Sequence, residues 1–313
     1  MHRTDQVRKA VIPVGGLGTR LLPITKVLPK ELLPVGRRPV IQYVVEEMRA
    51  AGFEHICLVT GRKKTLIQEH FDHDPELLRY LQDRGRDELL GELAYLESGL
   101  QLTFIRQSGP QGLADAVSLA EGYVGNQPFA VALGDSIICE PETGGLLHTM
   151  MEKHLENGAQ ATLAVEAVPR DKPRSYGMVY PEGGVRETDE VFPVAALPEE
   201  PPPDQACDSR RGGMEYLNWA TAARYIFSPS IFSAIRSTRP GRGGETHLSD
   251  AIRILLGQGA TVQAVRLSRE QRRHDIGSFD GYFRTFVEFA LQDPECADEI
   301  RRILAQAIRQ QAE

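Results

Sequence analysis

Residues 9–45, KAVIPVGGLGTRLLPITKVLPKELLPVGRRPVIQYVV, hold the groups best suited to phosphate chemistry. Gly15, Gly16 and Gly18 can bring backbone N–H groups up to an anion with no Cβ in the way. Arg20, Lys26 and Lys30 follow within twelve residues of the last glycine. Pro23, Pro29 and Pro34 stiffen the irregular loop that carries these cations. Cations on a stiff loop beside a backbone nest make an oligophosphate site. Two common glycine motifs are excluded: Leu21 stands where G-x-G-x-x-G needs its third glycine, and no G-K-[ST] follows as in a P-loop. A dehydrogenase therefore ranks last among the enzyme readings. A second feature is Asp135, at the end of the run FAVALGD (129–135), because ligands of α/β proteins gather at the C-terminal ends of parallel strands.

Such groups need a scaffold that delivers them from distant parts of the chain. KAVIPV (9–14) is an apolar β-type run ending in the glycine turn. VIQYVVEEMRAA (40–51) has helical spacing at Ile41, Val44, Val45 and Met48 and stops at Gly52. HICLVT (55–60) is the next strand, and strand, helix, strand in that order implies a right-handed crossover and a parallel sheet. The spacing predicts surface helices over 62–97, a strand at LTFIRQ (102–107), a helix over LADAVSLAEGYV (113–124) and a strand at FAVALGD. In the second half, ATLAVEAV (161–168), SYGMVYPEGGVRET (175–188), TAARYIFS (221–228) and TVQAVRL (261–267) read as strands. Helices are predicted over 229–237, over 243–259 with the stripe Leu248, Ile252, Leu255 and Leu256, and after Phe279. The proline-rich stretch PEEPPPDQACDSRRGG (198–213) reads as an exposed loop. The expected fold class is α/β: a Rossmann-like mixed, mostly parallel central sheet with helices on both faces.

The chain has 313 residues, 41% hydrophobic and 25% charged, with 36 basic against 43 acidic side chains and a net charge of −7. That excludes a disordered chain, and it favours neither nucleic acid nor an anionic membrane as partner. Cys57, Cys139, Cys207 and Cys296 are scattered, with no C-x-x-C pair, which fits neither a zinc site nor a disulfide framework. No run approaches the ~18 apolar residues of a membrane helix, and the N-terminus has no signal-peptide core. A cytoplasmic location is expected.

The motifs G-x-G-T-R-L-x-P, P-K-E-L-L-P and R-P-V-I-Q-Y resemble the signature of the sugar-1-phosphate nucleotidylyltransferases. T-K before P-K-E and Q-Y-V-V after it resemble the branch of that family that uses UTP and glucose 1-phosphate. Collinear matches continue at LVT (58–60), QGLADAV (111–117, where the family has G-L-G-H-A-V), LGDS (133–136, for L-P-D), SYGMV (175–179) and ARYIF (223–227). GGETHLSDAI (243–252, for G-G-E-I-Q-L-T-D-A-I) and HDIG (274–277, for Y-D-C-G) complete the series. The resemblance implies a nucleotide-diphospho-sugar transferase fold and transfer of a nucleotidyl group from UTP to glucose 1-phosphate, with Mg2+ as cofactor. It implies nucleotide contacts from Gly15, Gly16, Gly18 and Lys26, catalytic cations at Arg20 and Lys30, and base contacts from Gln107 and Gly112. Asp135 and Asp275 match the two magnesium carboxylates, and Gly177, Glu199 and Asn218 the sugar side. The partners implied are UTP and a sugar 1-phosphate, with no nucleic acid or membrane, in a homodimer or homotetramer. Matches in both halves suggest one elaborated domain over 1–295, with a nucleotide-binding half at 9–140 and a sugar-binding half at 141–295, and a C-terminal helix at 296–313.

The match breaks at one place. Where the family has V-E-K-P, with its Lys on the sugar phosphate, this chain has L-P-E-E-P, and Glu200 takes the Lys position. A carboxylate facing a phosphate at ~4 Å is repulsive by about 4 kcal/mol or more at an effective dielectric constant of 20. Two alternatives stay open: the same fold with another NTP or sugar phosphate, or a catalytically weak regulatory paralogue. Arg210 or Arg211 is expected to replace the missing lysine. Ala223 for Gly and Gly134 for Pro are milder departures. His274 is expected to be a surface histidine, and Arg266, Arg269, Arg272 and Arg273 a solvated face or oligomer contact.

Overall fold

Strands buried on both faces read as unbroken apolar runs, and KAVIP, HICLVT and FAVA are such strands. The computed structural model describes residues 7–97, 99–168, 177–186, 189–197, 218–241 and 244–312. In chain order β1 (Lys9–Pro13) enters the glycine loop, and the hairpin β2 (Pro34–Val35) and β3 (Arg38–Pro39) leads into α1 (Val40–Ala50). Then come β4 (His55–Thr60), α2 (Thr65–Phe71), α3 (Pro75–Asp83), α4 (Asp87–Glu92), β5 (Gln101–Arg106), α5 (Leu113–Ser118) and α6 (Glu121–Val124). β6 (Phe129–Ala132), β7 (Ser136–Cys139), α7 (Gly145–Glu156), β8 (Ala161–Val168), β9 (Met178–Pro181), β10 (Val191–Ala196) and β11 (Asn218–Phe227) come next. The chain ends with α8 (Ser230–Arg236), α9 (Leu248–Gly257), β12 (Val262–Arg266), β13 (Arg272–Asp275), α10 (Phe279–Ala290) and α11 (Ala297–Ala312).

Among the described residues the main sheet has nine strands in the order β5-β4-β1-β6-β11-β8-β12-β10-β9. The pairings give β5, β4, β1, β6, β8, β12 and β9 one direction and reverse only β10 and β11. This is the mixed, mostly parallel sheet expected from the sequence. β9 also pairs with the start of β11, so the second half of the sheet closes on itself. Alternate residues of each strand face opposite sides. Val11, Val59, Val131, Leu163 and Val165 pack with α5, α8 and α9, and Ile12, Leu58, Ala132, Ala164 and Val265 pack with α1 and α7.

Four elements beyond the expected set shape the cleft and its support. α7 buries Leu146, Leu147, Met150, Met151 and His154 along one stripe, a helical pattern visible in GLLHTMMEKHLE. β10 holds Pro193, which obscured its strand character, and it alternates Phe192 and Val194 inward. β7 and β13 are short and pair antiparallel, Ser136 opposite Asp275. That pairing joins the end of β6 to the C-terminal third of the chain. Beside it a small core of Leu21, Leu33, Val35, Val40, Ile137 and Ile276 packs the cationic loop against β7 and the segment entering α10.

Candidate active site

The glycine loop leaves β1 with Val14 N–H bonded to the Val59 carbonyl at 2.9 Å. Gly18 has φ +66°, in the left-handed region that favours glycine, and a Cβ there would crowd the Thr25 methyl at 3.1 Å. Thr25 Oγ1 donates back to the Gly18 carbonyl at 2.7 Å. Three single 3-10 turns, Thr19–Leu21, Ile24–Lys26 and Lys30–Leu32, carry the three cations in succession. Buried Leu21 and Leu33 anchor the loop, and this anchoring turns Arg20 and Lys30 into the cleft. Lys30 forms an ion pair with Asp135, and its Nζ lies over Gly16. Lys26 is exposed, and among the described residues it makes no polar contact that would bring it to the cleft.

A cavity of about 330 Å³ opens at this end of the sheet, and Arg20, Asp135, Gly177, Thr221, Arg273 and Asp275 line it. Asp135 and Asp275 arrive on adjacent backbones, since Ile276 N–H donates to the Asp135 carbonyl at 3.0 Å. Asp275 Oδ1 accepts from Gly277 N–H at 2.7 Å, and Oδ2 lies 3.5 Å from Arg273 Nη1. Arg20 spans Gly277, where a Cβ would come within 2.7 Å of its Nη2. Burial alone would raise the Asp135 carboxyl, but Lys30 outweighs it and the pKa lies below the ordinary value. Burial alone would lower the Lys30 ammonium, and Asp135 and Glu31 raise it above its ordinary value. Both groups are therefore charged at neutral pH. The two carboxylates offer hard oxygens to one cleft, which fits magnesium, because that ion takes one or two carboxylates and leaves its other positions to phosphates and water. Among the described residues no cluster of three or more His, Cys, Asp or Glu forms an all-protein cage.

β13 corrects two expectations. His274 is not a surface histidine: it is 7% exposed, its ring packs edge-on against Phe289 and its Nδ1 lies 3.5 Å from Glu288. Strand alternation explains the outcome, sending His274 toward α10 and its neighbours to the cleft. Arg273 is accordingly not part of a solvated face. It is buried, bonds Glu166 of β8 at 2.6 Å and reaches Asp275. Arg272 does face solvent, paired with Glu288. The sequence reading also missed the buried pair of Glu31 with Lys64 at 2.6 Å, which ties the Lys30 turn to the segment after β4. The only signal for it was a carboxylate inside the P-K-E motif.

A further group of the expected site residues sits at the exits of β1, β4 and β5. Gln107, 4% exposed, bonds its backbone N–H to the Thr60 carbonyl at 2.9 Å. Its Nε2 donates to Asp115 Oδ2 at 2.6 Å and to the Gly112 carbonyl at 3.3 Å. Its Oε1 lies over Gly15, 2.8 Å from where a Cβ would stand. Gly112 has φ +101°, and a Cβ there would come within 2.3 Å of the Thr246 carbonyl oxygen, so this glycine is obligatory. Gly15, Gly16, Lys30, Gln107 and Gly112 thus come together along one wall. The carbonyl of Gly177, which lines the cavity beside Thr221, accepts from Thr221 N–H at 2.9 Å. Asn218 opens β11, but its side chain, like Glu199, Glu200, Arg210 and Arg211, lies outside the described residues.

A family model described as Nucleotidyl transferase matches residues 9–291. The chain is 38% identical over 295 residues to a UTP–glucose-1-phosphate uridylyltransferase of Bacillus subtilis (strain 168), covering 94% of this chain and 95% of that one. A UTP-bound UGPase from Acinetobacter baumannii has the same fold, with a TM-score of 0.82 and 32% identity over 96% of this chain and 99% of that one. A UDP-glucose pyrophosphorylase complexed with UDP-glucose is similar at a TM-score of 0.76 and 29% identity, over 90% of this chain and 98% of that one. The family model spans most of the chain and the similarity runs along nearly the whole sequence, so the chain belongs to the nucleotidyl transferase family.

Proposed function

We propose that the protein transfers the uridylyl group of UTP to glucose 1-phosphate, giving UDP-glucose and pyrophosphate. The observation that carries this reading is the meeting of Arg20, Asp135 and Asp275 in the cavity that Gly177 and Thr221 also line, with Lys30 paired to Asp135. A phosphate oxygen of glucose 1-phosphate attacks the α-phosphorus of UTP in line. The bond from that phosphorus to the bridging oxygen breaks, and pyrophosphate leaves with the electron pair. No protein nucleophile is needed, so catalysis is positioning and charge neutralisation.

In this scheme Arg20 meets the departing phosphates, and Lys30 the α-phosphate or the leaving oxygen. Gly15, Gly16 and Gly18 let the triphosphate approach the backbone. Gln107 and Gly112 face the uracil, while Gly177, with Glu199 and Asn218, serves the sugar. Asp135 and Asp275 would hold magnesium, which supplies charge neutralisation and alignment of the phosphates when bound. Arg273 holds Asp275 in place on the side away from Gly277. We infer that residues 1–295 act as one catalytic unit, since one carboxylate comes from each of its two halves. A cytoplasmic homo-oligomer is the setting we assign. Among the described residues no helix is long and apolar enough to cross a membrane.

The test is pyrophosphate release from UTP, dTTP, CTP, ATP or GTP against a panel of sugar 1-phosphates, with and without EDTA. Release is expected with UTP and glucose 1-phosphate, and chelation is expected to abolish it. Release with another pair alone would replace the substrates. Absence of turnover together with thermal stabilisation by UDP-glucose would replace catalysis by a binding role.

A further inference from the structure

We propose that Asp115 sets the polarity with which Gln107 reads the nucleotide base, so that the site selects a base with an N–H at the centre of its pairing edge. The proposal rests on the reading of Gln107 as the base contact. A glutamine amide can present either its oxygen or its NH2 group, because rotation by half a turn leaves its shape almost unchanged. Here that freedom is removed. Nε2 faces two acceptors, the Asp115 carboxylate at 2.6 Å and the Gly112 carbonyl at 3.3 Å. A flipped amide would set its oxygen against both, leaving three oxygens facing one another around the buried Gln107.

Asp115 is itself held in place. Its N–H donates to Thr246 Oγ1 at 3.2 Å, and its carbonyl accepts from Ser118 Oγ at 2.7 Å. Oε1 of Gln107 is therefore fixed on the other side, over Gly15 of the nest. Among the described residues nothing donates to it, so its lone pairs remain available to a ligand. Uracil and thymine carry N3–H between two carbonyls and can donate to this oxygen. Cytosine N3 and adenine N1 are bare acceptors and would meet it lone pair to lone pair. A polar site built for one edge rejects the mismatched edge strongly, because a buried group is left unpaired. Asp115 stands where the motif it resembles has His, a residue that can donate as well as accept.

The experiment is calorimetric binding of UTP and of CTP, without turnover, to the wild type and Asp115→Asn. The wild type is expected to bind UTP at least about a hundredfold more tightly than CTP. The Asn side chain can donate to a flipped amide, so the ratio is expected to fall about tenfold or more, chiefly through tighter CTP binding. Melting temperature and the KM for glucose 1-phosphate should stay unchanged. An unchanged ratio, or parallel weakening of both nucleotides, would overturn the proposal and leave Asp115 a structural role. The two readings fail separately. Selective UTP binding that Asp115→Asn relaxes, in a protein that makes no UDP-glucose, would remove the proposed reaction and keep this inference. UDP-glucose formation with equal binding of UTP and CTP would do the reverse.

Discussion

Lys30 is the side chain on which the proposed chemistry leans most directly. It sits on a 3-10 turn whose neighbours are buried, its ammonium is paired with Asp135, and its pKa is raised by that carboxylate and Glu31 against the pull of burial. A fixed charge aimed at a developing oxyanion is typically worth a factor of roughly 10²–10³ in rate. Lys30→Ala is therefore expected to lower kcat by about two to three orders of magnitude, with a smaller change in the KM for either substrate, measured by steady-state pyrophosphate release. A loss confined to KM would assign Lys30 to ground-state binding instead. Lys30 and Arg20 were legible in the sequence because both lie in one short stretch with a glycine turn. Arg273 and the Glu31–Lys64 pair were not. Their partners are Glu166, Asp275 and residues 33 apart in the chain, and a run of arginines gives no sign of which one a strand turns inward.

β11 shows how a structural device stands behind the site. It is a reversed strand with an irregularity between Thr221 and Tyr225, and Ala223 within it has φ +62°. An L-residue in the left-handed region costs about 1–2 kcal/mol, and glycine gives back about 0.4–1 kcal/mol through its freer unfolded chain. Ala223→Gly is expected to stabilise the fold by about 0.5 kcal/mol, read from urea melts at constant slope. A destabilised variant would mean that the buried methyl contributes more than the strain. The next residue, Arg224, is 0% exposed and bonds Glu47 of α1 through Nε and Nη2 at 2.8 and 2.6 Å. It also donates to the carbonyls of Ala223 and Ser136, at 3.0 and 2.9 Å, and so fixes the turn that carries Asp135. Glu47→Ala would leave this guanidinium uncompensated, at a cost of about 3–5 kcal/mol. Glu47→Met combined with Arg224→Met should recover part of that loss in stability but not the activity. Recovery of both would show that Arg224 does not position the Asp135 turn. The parallel strands around β1 were readable because both their faces are buried. The short strands β7 and β13 were not, since what makes them strands is each other, more than 130 residues apart.

Cohesion between α7 and the second half of the sheet depends on a buried polar network centred on His154, which is 2% exposed. Ser228 Oγ donates to the Ala159 carbonyl at 3.0 Å and so accepts from His154 Nε2 at 3.2 Å. Thr162 Oγ1 accepts from Gln263 Nε2 at 3.0 Å, which leaves its hydroxyl hydrogen for His154 Nδ1 at 3.0 Å. The network is complete with a neutral imidazole protonated at Nε2, and a second proton on Nδ1 would displace the Thr162 hydroxyl hydrogen from its partner. Burial accordingly pushes the His154 pKa down to about 4. Because the folded value lies below that of the unfolded chain, near 6.5, acid favours unfolding: this stability is fully present above about pH 6.5 and is lost as pH falls toward 4. The full loss amounts to about 3 kcal/mol. His70 and His274 are lowered in the same direction by burial and steepen the decline. Urea melts at intervals from about pH 7.5 to 4 should show this slope in the wild type and a clearly shallower one in His154→Gln, whose amide does not titrate. That variant should be weaker at the neutral end of the range and approach the wild type as the pH falls. Parallel curves for the two proteins would mean that the acid sensitivity arises elsewhere, and the network would then be only a set of packed polar contacts.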